Sequence, residues 1–290
     1  MATRIFSTAG TIVCASFQKG KLMWLSHESG KFLREDGSLV ISGPVDPHMR
    51  FRIQGNATLI GRHGTIALIQ PNKPIEKISA DSIGLQTVFD ANEHHHYWLD
   101  SGGRLLRDGE YGGAEHIGDA LEGQSRFWVS SEYGFGFYRV GGVTIAFTFH
   151  TETHGINDSV KIPHIRGQLI DATCVFSKRI CWFFVSTSEQ GKTINWCMKI
   201  ENNQCVASAQ AESGDGSWLS TIHGKGAAGG LLFAPTEDGI VRVEQQGASL
   251  AVTRGYPDTE PFVDSESQLF PMAEGIGVVH PHDVTILKMS

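Results

Sequence analysis

The sequence predicts an all-β fold assembled from repeats of one small meander, and three observations predict it. Leu231 to Thr253 holds three short apolar runs separated by two turn signals, Glu237-Asp238-Gly239 and Gln246-Gly247. An Asp-Gly pair between apolar runs favours a hairpin, because glycine reaches positive φ without a Cβ penalty. Variants of this unit recur, with first-turn positions at Gly30, Gly64, Gly103, Gly142, Gly191, Gly239 and Asp283, 34 to 49 residues apart and about 42 on average. The chain ends complement each other: the last copy supplies two strands before Ser290, while strand-like runs at Ile5-Phe6 and Ile12 to Phe17 precede the first copy. A period of ~40 to 45 residues with several strands per repeat is that of propeller blades, each a small sheet that cannot bury both faces alone. The prediction is a single domain over residues 1–290, a seven-bladed β-propeller whose N-terminal strand closes the last blade and removes an exposed edge. Six blades is the alternative, if the shortest copy merges with a neighbour, and an unclosed β-sandwich is the other arrangement these strands allow.

Each copy repeats the order strand, turn, strand, turn. The first runs through Leu22 to Leu25, Ser29-Gly30, Lys31 to Arg34, Asp36-Gly37 and Ser38 to Ile41. The second turns at His63-Gly64 and Pro71-Asn72, where proline sits at a strand end. The third and fourth turn at Ser101-Gly102-Gly103 and Gly141-Gly142, and in Val143 to Phe149 the residues Val143, Ile145, Phe147 and Phe149 share one face by the period of two. The fifth pairs Cys181 to Val185 with the alternating Ile194, Trp196, Met198 and Ile200, then turns at Asn202-Asn203. Runs such as Trp182 to Val185 are apolar on both faces, as expected of strands covered on two sides. Helix signals are few: Ala114 to Leu121 reads as a short helix, Lys77 to Val88 is ambiguous, and Gly255 to Gln268 reads as a polar surface loop.

The 290 residues are 40% hydrophobic, enough for a large core. The 24 basic and 31 acidic residues give a net charge of -7 with no basic run, which argues against nucleic acid or an anionic membrane as the main partner. Cys14, Cys174, Cys181, Cys197 and Cys205 form no CxxC pair and read as reduced thiols within strands, pointing to a cytoplasmic protein. No clean cleavage site follows the apolar stretch Ile5 to Phe17, and no apolar run reaches the ~18 residues of a membrane helix, so the expectation is a soluble protein without a secretory leader.

Repeat length, copy number and shared ends together make the whole chain resemble the WD40-like β-propeller superfamily in architecture. No repeat ends in Trp-Asp and none opens with Gly-His. The resemblance therefore implies a fold and transfers no functional residue. Ser26 to Phe32 and Thr187 to Thr193 also look like degenerate Asp-box turns of sialidase-type propellers, with glutamate in place of aspartate. That motif is a structural turn.

His94-His95-His96 is the most unusual local feature. In a strand, His94 and His96 share a face, and two imidazoles at i and i+2 suit zinc or copper; the competing reading is a polar surface loop entering a strand, with no third ligand in sequence. His280 and His282 repeat the spacing at a hairpin turn, and His150 with His154 is spaced for a helix where a strand end is expected. Gly224 to Gly230 matches G-x-G-x-x-G, but a strand follows it where a dinucleotide site needs a helix, so it reads as an interblade loop and no cofactor is predicted. Ser130, Ser131 and Ser220 lack a nucleophile-elbow context. The acids Asp158, Asp215, Asp258, Glu260, Asp264 and Glu266 read as solvated loops.

The function these features predict is a platform that binds a protein or peptide through loops bearing aromatic and arginine anchors, acting as a monomer. The alternative is a propeller hydrolase or carbohydrate binder with its site at the mouth of the central channel. A structural module in a larger assembly is the third reading.

Overall fold

The computed structural model describes residues 2–18, 21–27, 31–42, 50–54, 57–62, 65–69, 76–79, 89–91, 95–100, 102–108, 114–118, 124–130, 132–177, 179–220, 226–228, 231–236, 239–264, 267–272 and 275–288. The chain divides into two compact units, Met1–Pro44 with Ile165–Ser290, and Val45–His164.

Strand β1 (Ala2–Ser7) precedes the first sheet, β2 (Ile12–Gln18), β3 (Lys21–His27), β4 (Lys31–Leu33) and β5 (Leu39–Ser42). The second sheet is β6 (Arg50–Gln54), β7 (Ala57–Arg62), β8 (Thr65–Ile69) and β9 (Glu76–Ser79). The third is β10 (Phe89–Ala91), β11 (His96–Leu99), β12 (Leu105–Asp108) and β13 (Ala114–Gly118). The fourth is β14 (Gln124–Val129), β15 (Tyr133–Val140), β16 (Val143–His150) and β17 (Ile156–Val160). The fifth meander, β18 (Gln168–Ser177), β19 (Ile180–Glu189), β20 (Lys192–Glu201) and β21 (Gln204–Glu212), is followed by the sixth, β22 (Gly226–Ala228), β23 (Leu231–Thr236), β24 (Gly239–Gln246) and β25 (Ser249–Tyr256). One parallel bridge, Ser208 opposite Ser249, joins these two meanders into an eight-stranded sheet. The last sheet has β26 (Gln268–Met272), β27 (Gly275–Val279) and β28 (Asp283–Leu287), and β1 pairs antiparallel with β28 to complete it. The first and last strands of the chain thus share one sheet, as the complementary ends imply.

The recurring first-turn positions fall between second and third strands wherever they are described; Gly30 and Gly64 lie outside the described residues. Gly141 and Gly142 both take positive φ, 58° and 84°, in a two-residue turn that pairs Val140 with Val143. Asn202 and Asn203, at 50° and 61°, do the same between Glu201 and Gln204, since asparagine tolerates the left-handed region. Such paired positive-φ turns match the right-handed twist of the strands they join.

Three readings change. Ala114–Gly118 is a strand, not a helix: Ala114 and His116 are exposed and Ile117 buried, an alternation of two that the helix-favouring alanines, glutamate and leucine of the eight-residue window concealed. Gly226–Ala228 is the first strand of the sixth meander, antiparallel to Leu231 to Phe233, rather than a loop. In the segment read as a polar loop, β25 runs on to Tyr256 and a 3-10 helix, Pro257–Phe262, follows. There the buried Thr259 hydroxyl donates to Tyr256 O (2.6 Å) and accepts from Ile240 N (2.8 Å), tying the segment to β24.

Within each unit, the described cores lie between consecutive sheets. In the first unit, Trp182, Phe184, Cys197, Ala207, Leu219, Val241, Val243 and Leu250 pack the fifth meander against the sixth. Ile240 and Tyr256 meet Leu269, Ile276, Val278 and Leu287 between the sixth and the last. Ile12, Ala15, Leu22 and Leu25 meet Val279 and Val284 between the last sheet and the first. In the second unit, Tyr97, Leu99, Leu105 and Ile117 of the third sheet pack on Phe127, Val129, Phe147 and Phe149 of the fourth.

Candidate functional site

Charged and ring-bearing groups of the second unit converge where the third sheet meets the segment between β16 and β17. Register builds this site: Arg107 on β12 stands opposite Tyr97 on β11 and Glu115 on β13, so the three form one row across the sheet. Arg107 Nε and Nη2 both reach Glu115 Oε2 at 2.8 Å. Its Nη1 donates to the carbonyl of Thr151 (2.6 Å), which also accepts the Tyr97 hydroxyl (3.1 Å). Arg107, Tyr97 and Thr151 are all buried. A buried guanidinium is tolerable only when its donors are satisfied and its charge is matched, and here a carboxylate and a carbonyl do both. The arrangement clasps the 151–155 segment to the third sheet.

Two histidines, His95 and His154, flank this clasp. His95 Nδ1 lies 3.4 Å from Asp108 Oδ1, and its ring stands edge-on to Tyr97. His154 Nε2 lies 3.8 Å from Glu115 Oε2, with most of its side chain in solvent. His150 is exposed at the end of β16, opposite Tyr133. His96 opens β11 opposite Ala91, and His94 lies outside the described residues. Among the described residues, no group of three or more His, Cys, Asp or Glu side chains is placed to hold a metal ion.

At the opposite end of the third sheet, Asp100 organises the turn between β11 and β12. One carboxylate oxygen accepts from Gly102 N and Arg104 N, each at 2.9 Å, and the other from Arg104 Nε at 2.7 Å. Burial pushes the Asp100 carboxyl up, but these donors and the Arg104 charge outweigh it and hold the group below its ordinary 3.8. The Asp100 side chain is 2% exposed while that of Arg104 is 59% exposed. The result is a cation presented to solvent in one fixed orientation.

In the first unit, Asp264, Ser267 and His280 meet. Ser267 Oγ lies 3.0 Å from Asp264 Oδ1 and 3.4 Å from His280 Nδ1, while Asp264 Oδ2 lies 3.3 Å from the same His280 nitrogen. His280 Nε2 sits 2.7 Å from Phe262 O. A nucleophilic relay needs the serine and the acid on opposite ring nitrogens. Here both contact Nδ1 and Ser267 is buried, so the three groups brace the chain leaving the 3-10 helix. His282 contacts Gly10 O at 3.1 Å, linking the last turn to the N-terminal segment. Ser130 Oγ donates to Tyr133 O and Ser220 Oγ to Ser217 O, both as turn hydroxyls.

The clasp itself was missing from the sequence reading. Its one local signal is the alternation in Ala114 to Gly118, which places Glu115 and Ile117 on one face and His116 on the other; the pairing with Arg107 follows from register alone.

No protein-family model and no curated protein matches the chain. Among solved structures it is similar to hydrazine synthase of Kuenenia stuttgartiensis, with a TM-score of 0.59 and 10% identity over 98% of this chain and 97% of that one. It is also similar to Hsv2 of Kluyveromyces marxianus, with a TM-score of 0.58 and 11% identity over 94% and 90% of the two chains. Hsv2 of Kluyveromyces lactis gives 0.55 and 10% over 85% and 86%. At these identities the likeness speaks for fold alone. The chain is an all-β protein whose solved neighbours are β-propellers.

Proposed function

We propose that the chain is a single seven-bladed β-propeller domain that serves in the cytoplasm as a monomeric platform for a protein or peptide partner. Repeated four-stranded meanders, with β1 completing the last sheet, support the architecture. The observation that carries the binding role is Arg104, an exposed guanidinium held by the buried Asp100 in a turn with three further fixed hydrogen bonds or ion-pair contacts. Arginines are enriched among residues that dominate interfaces, and a side chain already ordered before binding loses less entropy on contact. The partner chemistry this favours is a carboxylate-bearing peptide segment.

The test is affinity capture from the source cell with the full chain as bait, beside an Arg104→Ala variant. Proteins retained by the wild type and lost by the variant are the expected result. Equal retention removes Arg104 from the interface, and no retention above a blank matrix sinks the platform reading.

A second reading rests on His95, whose Nδ1 lies 3.4 Å from Asp108 Oδ1 and which belongs to the run His94-His95-His96 in sequence. In that reading His94 and His96 hold zinc or copper. Metal analysis of untagged protein then finds one equivalent, which a His94→Ala/His96→Ala double variant loses while keeping its fold. Absence of stoichiometric metal removes this reading.

A further inference from the structure

The fifth meander carries two thiols in near contact. Cys174 lies on β18 opposite Phe183, and Cys181 lies on β19 opposite Phe176. Residues two apart on a strand share a face, so the thiols are diagonal neighbours on one side of the hairpin. Their sulfurs are 3.1 Å apart. A disulfide bond is about 2.05 Å long, so closing the pair needs a relative movement of about 1 Å.

The other thiols of the meander compete poorly. Cys197 stands opposite Phe184, which places it on the other face. Cys205 shares the face of Cys181, but Ile200, paired to both, stands between them.

Access is the remaining requirement. Cys181 is fully buried and Cys174 is 6% exposed. Every other described side chain of β18 is exposed or half-buried, so Cys174 lies under a thin cover. A small neutral oxidant is the kind that reaches it.

We propose that Cys174 and Cys181 form a dithiol site that hydrogen peroxide closes to a reversible disulfide. In the first step the Cys174 sulfur attacks one peroxide oxygen, the O–O bond breaks, and sulfenic acid and one water result. In the second the Cys181 sulfur attacks the sulfenic sulfur, the S–O bond breaks, and the second water leaves with the Cys181 proton. The two thiols are oxidised by two electrons and the peroxide is reduced to two waters. The disulfide staples β18 to β19, and a dithiol reductant reopens it.

Lys178 and Arg179 lie between the two cysteines in sequence, so trypsin separates them unless the bond has formed. The experiment treats the reduced full chain with graded hydrogen peroxide, blocks remaining thiols with N-ethylmaleimide under denaturing conditions, and maps unreduced tryptic peptides by mass spectrometry. A linked Cys174–Cys181 peptide pair is expected, together with a fall of about 2 Da in intact mass that dithiothreitol reverses. Both cysteines recovered as maleimide adducts, or Cys174 advanced to sulfinic acid with Cys181 still alkylated, overturns the proposal. In a Cys181→Ser variant the sulfenic acid on Cys174 persists and is trapped by dimedone. Should that variant misfold, the peptide map of the wild type decides alone.

Discussion

The contact between the fifth and sixth meanders and the contact between the third and fourth sheets both bury aromatic side chains but are finished differently. In the former, Trp182, Phe184, Val241, Val243 and Leu250 make an apolar interface, and the indole N–H of Trp182 is buried without a hydrogen-bond partner among the described residues. In the latter, the aromatic cluster of Tyr97, Phe127, Phe147 and Phe149 is bordered by Arg107, whose guanidinium reaches Glu115 and Thr151. Apolar packing is non-directional and tolerates small slips, whereas a buried guanidinium fixes the direction and distance of its acceptors. The difference teaches that the first contact supplies bulk stability and the second supplies position.

The largest expected effect breaks the apolar side. Trp182→Ala removes a fully buried indole and costs about 3 to 5 kcal/mol in chemical denaturation, whereas Trp182→Phe, which keeps a ring and deletes the unpaired N–H, costs less than half of that. Equal losses for the two variants show that the indole nitrogen is satisfied and that the interface is not purely apolar.

An intermediate effect breaks the polar side. Arg107→Met leaves Glu115 without its arginine partner and removes one of the donors to the Thr151 carbonyl, which keeps the Tyr97 hydroxyl, and costs about 3 kcal/mol, while Glu115→Gln alone costs about 1 kcal/mol because that carboxylate is partly solvated. The directional argument adds a second readout: Arg107→Met raises hydrogen exchange at 151–155 while Trp182→Ala leaves that segment unchanged. Faster exchange there in both variants removes the distinction between bulk and positional contacts.

The smallest effect sharpens the polar side through pH. The Asp100 carboxyl is held below its ordinary 3.8 in the folded chain. Its contribution is therefore complete above the unfolded value and disappears as pH falls through the lower folded value. Asp100→Asn is expected to cost about 1 to 2 kcal/mol at pH 7, a cost that shrinks as pH falls below the ordinary 3.8 and through the lower folded value, measured as denaturation midpoints at neutral and acid pH. A cost that stays constant with pH assigns the effect to turn geometry instead of charge.

Some elements were legible in sequence and others were not, and the divide follows the range of the interactions. The hairpins at Gly141-Gly142 and Asn202-Asn203 could be read because a turn is decided by a few adjacent residues and their access to positive φ. Trp182 to Val185 could be read as doubly covered from its apolar run, and those four residues are buried on both faces. Ala114 to Gly118 was misread because five residues carry little periodic signal and alanine and glutamate favour helix on their own. The opening strand Gly226–Ala228 was misread because glycine and alanine form a strand there only through the neighbour they pair with.

The clasp shows the same limit more sharply. Arg107 and Glu115 are eight residues apart, and Thr151 lies 44 residues beyond Arg107. Nothing local to any of them signals the others. Register across β11, β12 and β13 brings the first pair together, and sheet packing brings the third.

By itself, the sequence determined an all-β chain of repeated meanders whose terminal strand pairs with the last sheet, because turn chemistry, period-two alternation and repeat spacing are short-range properties written along the chain. Only the tertiary structure decided that Arg107 is paired inside a sheet contact, that Asp264, Ser267 and His280 share one ring nitrogen, and that Cys174 and Cys181 bring their sulfurs to 3.1 Å. Each of those depends on strand register or on packing between segments, where a shift of one residue turns a side chain to the opposite face.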